Sequence, residues 1–544
     1  MGLWGDELAV PSRDEIKGLL SKIKKAKKPD DEDIGKQIKS DKIPLEDRLA
    51  IIKDNVYKIV GRQKDNTILI KTKEDLHAYM DAVIESGFLA LDTETNNTLD
   101  YINCRLMGPC LYAPGQKQAY VPMNHVDPKT GERLPWQLTE IEFRDELQRV
   151  IDAGVKIIFH NYKFDYQVIK TTCHIEVPAY WDTMIGIKMI DENEKAKLKF
   201  LYSKYIDPTQ EKYDIEHLFD AKYVQYAQVD PEVFALYAAT DSMITYKMYL
   251  YEKSVLETPE YRGMLNIFLN VEMPIISTVA EMEYNGIGIS QAYAKRLSEK
   301  YHREKEAVDA KILEEMAKIQ PKIDAWRLTP GAREKDGKKE KCEILENPVN
   351  LDSPKQLAIL LFDVLKLPEG LGKTINDTPR GTGTNVLEIM AKDYGFGLGT
   401  LLSEKKGIDK LLSTFIDALP QQVNPKDGKI HCSFNQLGAI ARFSSSSPNL
   451  QNIPSSDKSI RPMFNVNADS RIVSEDSEYE YLAMAALDYD NSITVDRCDE
   501  VKTKDGYVGA DAVAVGDSLV DDEGNAHEVR RIFEMKRDRC FIIG

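Results

Sequence analysis

The chain is 544 residues long and 42% apolar, with 72 Lys and Arg against 89 Asp and Glu and a formal net charge of −17. That length supplies three or four domains, and the acidic balance argues against a wholesale electrostatic grip on nucleic acid while leaving cations for local basic grooves. The seven cysteines, an odd number without paired metal-type spacing, fit reduced thiols, with Cys104 and Cys110 read as buried small residues. No apolar run approaches the ~18 residues of a membrane span, and the opening MGLWGDELAVPSRDE reads neither as a leader nor, with Asp6 in it, as a myristoylation signal. The expected location is cytoplasmic, bacterial or in a virus-infected host, with no membrane partner.

Residues 1–60 are polar and charge-blocked, KIKKAKK (22–28) running into PDDEDIGKQ (29–37), which predicts a solvated, at most marginally helical extension rather than a basic arm. From 61 to 252 strand-like runs, TILIKT (67–72), FLALDTE (88–94), QAYVPM (118–123) and VKIIFHN (155–161), alternate with helix-like EDLHAYMDAVIES (74–86) and IEFRDELQRVIDA (141–153). That order predicts an α/β domain with a mixed sheet and flanking helices. Residues 253–485 read as mostly α, with a long helix over 290–319 whose apolar positions recur at helical spacing between dense charges. Over 486–544 short alternating runs are punctuated by Asp-Gly, Val-Gly-Asp and Glu-Gly-Asn turns, a small all-β pattern.

Three stretches of the α/β domain carry chemistry. In FLALDTETNNTL (88–99) a strand places Asp92 and Glu94 on one face, where both can hold the same divalent ion. In VKIIFHNYKFDYQVI (155–169) a strand ends at His160-Asn161 and a helix begins with Asp165 in its first turn. In VFALYAATDSMITYKM (233–248) Tyr237 and Asp241 stand at i and i+4 on one helix face. Four carboxylates and a phenol suit Mg²⁺ or Mn²⁺ rather than zinc or copper. Two such ions, about 3.5–4 Å apart, relieve the repulsion among the acids and stabilise both the attacking and the leaving oxygen of a phosphodiester displacement. Taken singly each stretch has a blander reading: a solvated turn for the D-x-E, helix-surface charge for Asp165 and Asp241, a core aromatic for Tyr237.

The three stretches together resemble the motifs of the DEDD-type 3′–5′ exonucleases with a Tyr in the third motif, as found in family A (DNA polymerase I-like) DNA polymerases. The resemblance implies a ribonuclease H-like fold over 61–252, catalytic and metal-binding roles for Asp92, Glu94, Asp165 and Asp241, a water-orienting role for Tyr237, and strand contact by Asn161. It also takes in WDTMIGIKMIDENEKAKLKFLYSKY (181–205). Further on, VEMPIISTVAEMEYNGIGIS (271–290) resembles the opening of the family's polymerase module, with a turn at Asn285-Gly286, and NLDSPKQLAILLFDVLKLP (350–368) its thumb. The stretch 411–454, ending ARFSSSSPNLQNIP, resembles its primer–template-binding segment. Uncharged donors and lone guanidinium groups position DNA without reading its sequence, which points to Asn435, Gln436, Arg442, Ser445, Asn449, Gln451 and Asn452, with Arg461 of SIRPMFNV (459–466).

Near RIVSEDSEYEYLAMAAL (471–487) the family places a palm metal ligand, for which Asp476 is favoured over Glu475. The family's fingers helix and second palm carboxylate are not found in the sequence, so 253–485 is expected to form a partial polymerase module, the thumb and start of the palm. Residues 486–544 resemble the N-terminal part of an intein of the Hint fold, with Ala486, which has no nucleophilic atom, at the first position. The resemblance as a whole implies a proofreading exonuclease acting with two Mg²⁺ or Mn²⁺ on DNA primer–template and single-stranded 3′ ends. Polymerase activity is expected only after a C-terminal polymerase and intein half joins. Two rivals are a stand-alone 3′–5′ RNA/DNA exonuclease and a primer–template-binding module, catalytically inactive, awaiting protein trans-splicing.

Overall fold

The computed structural model describes residues 43–96, 98–208, 219, 222–372, 378–437, 442–454 and 457–465, and strand segments between 492 and 543. The chain divides into two compact units between 465 and 466. The expected junction at 485/486, with Glu475, Asp476 and Ala486, lies outside the described residues, as does the charged segment up to residue 42.

The predicted extension gives way to folded structure before residue 60. Helix α1 (Leu45–Val60) buries Ile52, Val56, Ile59 and Val60 in a cluster with Tyr120 and Phe234. Its apolar residues recur at helical spacing, a signal masked in composition by the charges between them. The α/β domain then runs β1 (Thr67–Leu69), α2 (Lys73–Ser86), β2 (Phe88–Thr95), β3 (Leu106–Tyr112), β4 (Gln118–Tyr120), α3 (Glu140–Asp152), β5 (Lys156–Phe159), α4 (Tyr162–Cys173), β6 (Trp181–Asp182), α5 (Thr183–Ile190), α6 (Leu198–Tyr205) and α7 (Pro231–Leu256). Local chemistry sets the helix starts. Thr72 caps α2 through the Asp75 amide, Thr139 and Glu142 form a reciprocal capping box on α3, and Asp230 caps α7 with Pro231 at its first position.

The six strands form one mixed sheet in the order β1-β4-β3-β2-β5-β6, with β2 antiparallel to β3 and parallel to β5. Both faces are covered: Cys110 packs with the α7 cluster while its neighbour Leu111, pointing the other way, packs with the cluster that holds α4. Strand β3 was not expected from the sequence. Glycine and proline are disfavoured in a strand interior, yet Pro109 accepts from the Val121 amide, and a side chain at Gly108 would collide with the Val121 carbonyl.

Beyond α7, the helical run Pro259–Asn285 is long and apolar enough to pass for a membrane span, contrary to the sequence reading. Phe268, Met273, Ile276 and Ala280 along it are buried in the core shared with β2 and α4. Its last part, α8 (Met273–Asn285), ends at Gly286, whose φ of 56° and close approach to His431 require glycine there. There follow β7 (Ile287–Ile289), the long α9 (Gln291–Arg327), α10 (Thr384–Tyr394), α11 (Gly397–Leu411), β8 (Lys429–Ile430), the paired β9 (Ser433–Asn435) and β10 (Ser444–Ser446), and β11 (Phe464–Asn465). Strand β7 lies between β8 and β11, and Leu297, Leu360, Leu387 and Phe415 belong to the core of this half.

In the second unit the described residues are all strand: β12 (Ser492–Asp496), β13 (Glu500–Thr503), β14 (Gly506–Gly509), β15 (Ser518–Val520), β16 (Ala526–Glu528), β17 (Arg531–Glu534) and β18 (Arg539–Ile543). They form two antiparallel sheets, β12-β18-β17 and β14-β13-β15-β16.

Candidate active site

Strand β2 alternates buried and cleft-facing residues, so Asp92 and Glu94 project together at its end, just before a bulge between Glu94 and Thr95. Thr93 points to the opposite face and holds Asp165 of α4: its amide donates to Asp165 Oδ1 at 2.8 Å and its hydroxyl to the same oxygen at 2.6 Å. Helix α7 brings Tyr237 and Asp241 over the other face. All five residues line one cleft of 510 Å³ with His160, Asn161, Phe164, Met184 and Lys199. The structure therefore gathers the acids that the sequence pointed to.

Two groups of the site escaped the sequence reading. Lys199 of α6 places its Nζ 3.0 Å from Asp241 Oδ1 and 3.8 Å from the centre of the Tyr237 ring. It is an internal cation where the acids are densest. Asp182, fully buried, accepts from the Asn161 amide (3.0 Å), the Tyr162 amide (2.9 Å) and the Met184 amide (2.8 Å), so one carboxylate caps both α4 and α5. It holds Asn161 in a left-handed conformation at φ 72° and so aims the first turn that carries Asp165. His160 Nε2 donates to the Ala196 carbonyl (3.0 Å), anchoring the approach to α6. Burial lowers the His160 pKa, which favours the neutral ring.

Cys110 is buried, as expected; it also pairs with Asp92 across β2 and β3, and its Sγ lies within 4.8 Å of carboxylate oxygens of Asp92 and Glu94. The thiol is thus part of the wall of the acid cluster.

Burial together with the Asp241 charge pushes the Asp92 carboxyl up to about 8, against the pull of Lys199. Glu94 is raised for the same reasons, with Asp92 as a further repulsive neighbour. Asp165 is raised by burial and Asp92, opposed by its bonds from Thr93. Burial likewise raises Tyr237, which stays a protonated donor. Asp241 Oδ1 is buried, with the Lys199 ammonium as its ion-pair partner. Crowded, desolvated carboxylate oxygens are the environment that a hard divalent cation satisfies.

The residues expected to face DNA divide into two groups. Asn435, Arg442, Asn449, Gln451, Asn452 and Arg461 are exposed. Ser445 is not: its buried hydroxyl donates to Asn449 Oδ1 and accepts from the Leu450 and Gln451 amides, so it builds the turn rather than facing a strand. The Gln436 amide donates to Glu272 Oε2 at 2.6 Å and is half-buried.

Residues 67–256 match the family described as 3′-5′ exonuclease, and residues 320–494 match DNA polymerase family A. DNA polymerase I of Borreliella burgdorferi is 28% identical over 429 residues, 77% of this chain and 42% of that protein. DNA polymerase I of Chloroflexus aurantiacus is 30% identical over 346 residues, 61% of this chain and 33% of that protein. Among solved structures, the POL domain of Pol1 from M. smegmatis, in complex with DNA primer-template and dNTP, superposes with a TM-score of 0.52 at 19% identity, covering 79% of this chain and 60% of that one. This chain spans less than half the length of these curated relatives. Over the segments 67–256 and 320–494 the chain is similar to 3′-5′ exonucleases and to family A DNA polymerases.

The raised carboxyls predict an unusual pH dependence. A folded-state pKa moved from 3.8 to about 8 means that the folded protein holds the Asp92 proton more tightly than the unfolded chain does. Ionisation therefore favours unfolding, and the metal-free protein should lose stability as pH rises through that interval. Thermal melts in EDTA between about pH 5 and pH 8 should show a falling midpoint, flattened by Asp92→Asn and by added Mn²⁺. A midpoint that rises with pH in EDTA would contradict the assigned crowding.

Proposed function

We propose that this chain is a 3′–5′ exonuclease that removes nucleotides from DNA 3′ ends, and that Asp92, Glu94, Asp165 and Asp241 hold two Mg²⁺ or Mn²⁺ ions for that reaction. The convergence of these four acids and Tyr237 on one cleft is the observation that carries the reading. The ions, when bound, supply stabilisation of the attacking and leaving oxygens. Water attacks phosphorus, the bond from phosphorus to the 3′ oxygen of the penultimate nucleotide breaks, and a nucleoside 5′-monophosphate leaves.

The chain's own residues do the rest. Tyr237, protonated because it is buried, donates a hydrogen bond that orients the water. Thr93 and the caps from Asp182 fix Asp165 before substrate arrives. Phe164 and Met184, lining the cleft beside Asn161, give the terminal base an apolar resting place. The exposed amides of Asn435, Asn449, Gln451 and Asn452, with Arg461, are donors of the kind that hold a nucleic-acid backbone without reading its sequence, and the likeness to DNA polymerase I supports DNA rather than RNA as the substrate.

The test is loss of label from a 3′-tailed DNA oligonucleotide. Asp92→Ala should slow hydrolysis by on the order of 10²–10³-fold, the scale of removing a transition-state charge stabiliser. Tyr237→Phe should cost about tenfold, the scale of one hydrogen bond to a charged group. Equal rates for wild type and Asp92→Ala would refute the assignment.

For the second unit, we infer that 486–544 is an N-terminal intein fragment and that polymerase activity needs nucleotide-clamp residues supplied by a further segment or partner half. The all-antiparallel strands of this unit are compatible with that reading. Primer extension by the 544 residues without added protein would refute it.

A further inference from the structure

Besides the catalytic cleft the molecule holds a larger cavity of 810 Å³, walled on one side by α4 and on the other by α8 and β9; Asn161, Phe164 and Met184 border both. At its wall stands Glu283 of α8, a carboxylate only 4% exposed that takes no part in the chemistry above. Its partners come from both halves of the first unit. From α4, Lys163 Nζ donates to Glu283 Oε1 at 2.5 Å and Gln167 Nε2 to Oε2 at 2.9 Å. These two residues stand two positions to either side of Asp165. From β9, the Phe434 amide donates to the same Oε1 at 2.6 Å, and Lys163 also donates to the Phe434 carbonyl. The Glu283 main-chain carbonyl accepts from Tyr101 Oη at 2.8 Å and meets His431 Nδ1 at 2.8 Å.

Phe434 is the middle residue of β9, opposite Ser445 of β10. The pair β9 and β10 carries Asn435 and leads into the Asn449, Gln451 and Asn452 surface assigned above to DNA. A single buried carboxylate therefore bonds the helix of the metal site and the hairpin of the DNA-facing surface. A buried charge pair of this kind is weak evidence for stability, because a well-packed apolar pair serves as well, but it fixes relative position through directional bonds.

We propose that Glu283 is a positioning residue that couples the β9–β10 hairpin to helix α4, so that duplex DNA seated on the hairpin sets the position of Asp165 in the exonuclease site. This rests on the reading of the hairpin as a DNA surface. The coupling is mechanical: displacement of the Phe434 peptide moves Oε1 and Lys163 with it, and Lys163 and Gln167 carry the first two turns of α4, where Thr93 receives Asp165.

Hydrogen exchange read by mass spectrometry tests it on the full chain, with a fully paired, 3′-recessed primer–template duplex in EDTA, where no strand is cut. In the wild type, DNA should slow exchange about tenfold, the scale of ordinary coupling between sites, in 433–435 and 444–446 and also in 163–169. The double variant Lys163→Met/Glu283→Gln removes both buried charges together. It should keep the hairpin protection and lose that of 163–169, with α2 exchanging as in the wild type. Protection of 163–169 that survives in the variant reflects direct DNA contact and overturns the coupling. Absence of hairpin protection in the wild type itself overturns the DNA reading and the coupling with it. Should the double variant melt far below the wild type, Lys163→Met/Glu283→Met, which replaces the buried pair by apolar side chains of similar size and leaves the Phe434 amide and Gln167 no shared acceptor, carries the test by the same criterion.

Discussion

Like charges crowded into a desolvated cleft repel, and everything around this site answers that constraint. Burial and the Asp241 charge raise the proton affinity of Asp92 and Glu94, with Asp92 acting on Glu94 as well, and no mobile loop could hold these acids together against that repulsion. The chain instead mounts them on β2, buried in mid-sheet, and on α7, a 26-residue helix packed across five strands. Asp165 is clamped by two donors from Thr93, and Lys199 sets one positive charge among the acids. A rigid frame is what makes an electrostatically unfavourable cluster available for cations.

The same frame explains where the cluster lies. It forms where β2 ends at a bulge, where α4 starts under the cap of Asp182, and where the chain between α5 and α6 returns to the cleft through His160. Backbone groups at strand and helix ends are the ones that local side chains must satisfy, so these ends are where the fold can afford polar residues in its interior. The link through Glu283 extends the logic beyond the nuclease: α4 is bonded on one side to β2 and on the other to the hairpin of the following half.

Much of this was readable from residue order. The D-x-E on a strand, the Asp in a first helical turn and the i, i+4 Tyr–Asp pair each follow from the periodicity of one element, and their side-chain directions follow with them. Long-range pairings were not readable. Strand β3 hid behind Gly108-Pro109, so the approach of Cys110 to Asp92 could not be foreseen. Lys199 sits in AKLKF, which reads as an ordinary charged helix start, and only its return to α7 makes it an active-site cation. Asp182 looked like one more acid before a helix, although an Asp directly ahead of TMIGIKMI is an N-cap signal that could have found half of its role. Ser445, one of four serines in a row, gave no sign that its hydroxyl is consumed within its own turn. The helix 45–60 was obscured because charge blocks dominate the composition of the segment before it.

Acids from β2, α4 and α7 together form the proposed seat of the divalent ions. Anomalous diffraction from crystals soaked in Mn²⁺ measures this directly. Manganese peaks are expected inside the cleft lined by Asp92, Glu94, Asp165 and Asp241, and they should be lost in Asp92→Asn. Manganese bound only at surface carboxylates, with this cleft empty in the wild type, would contradict it.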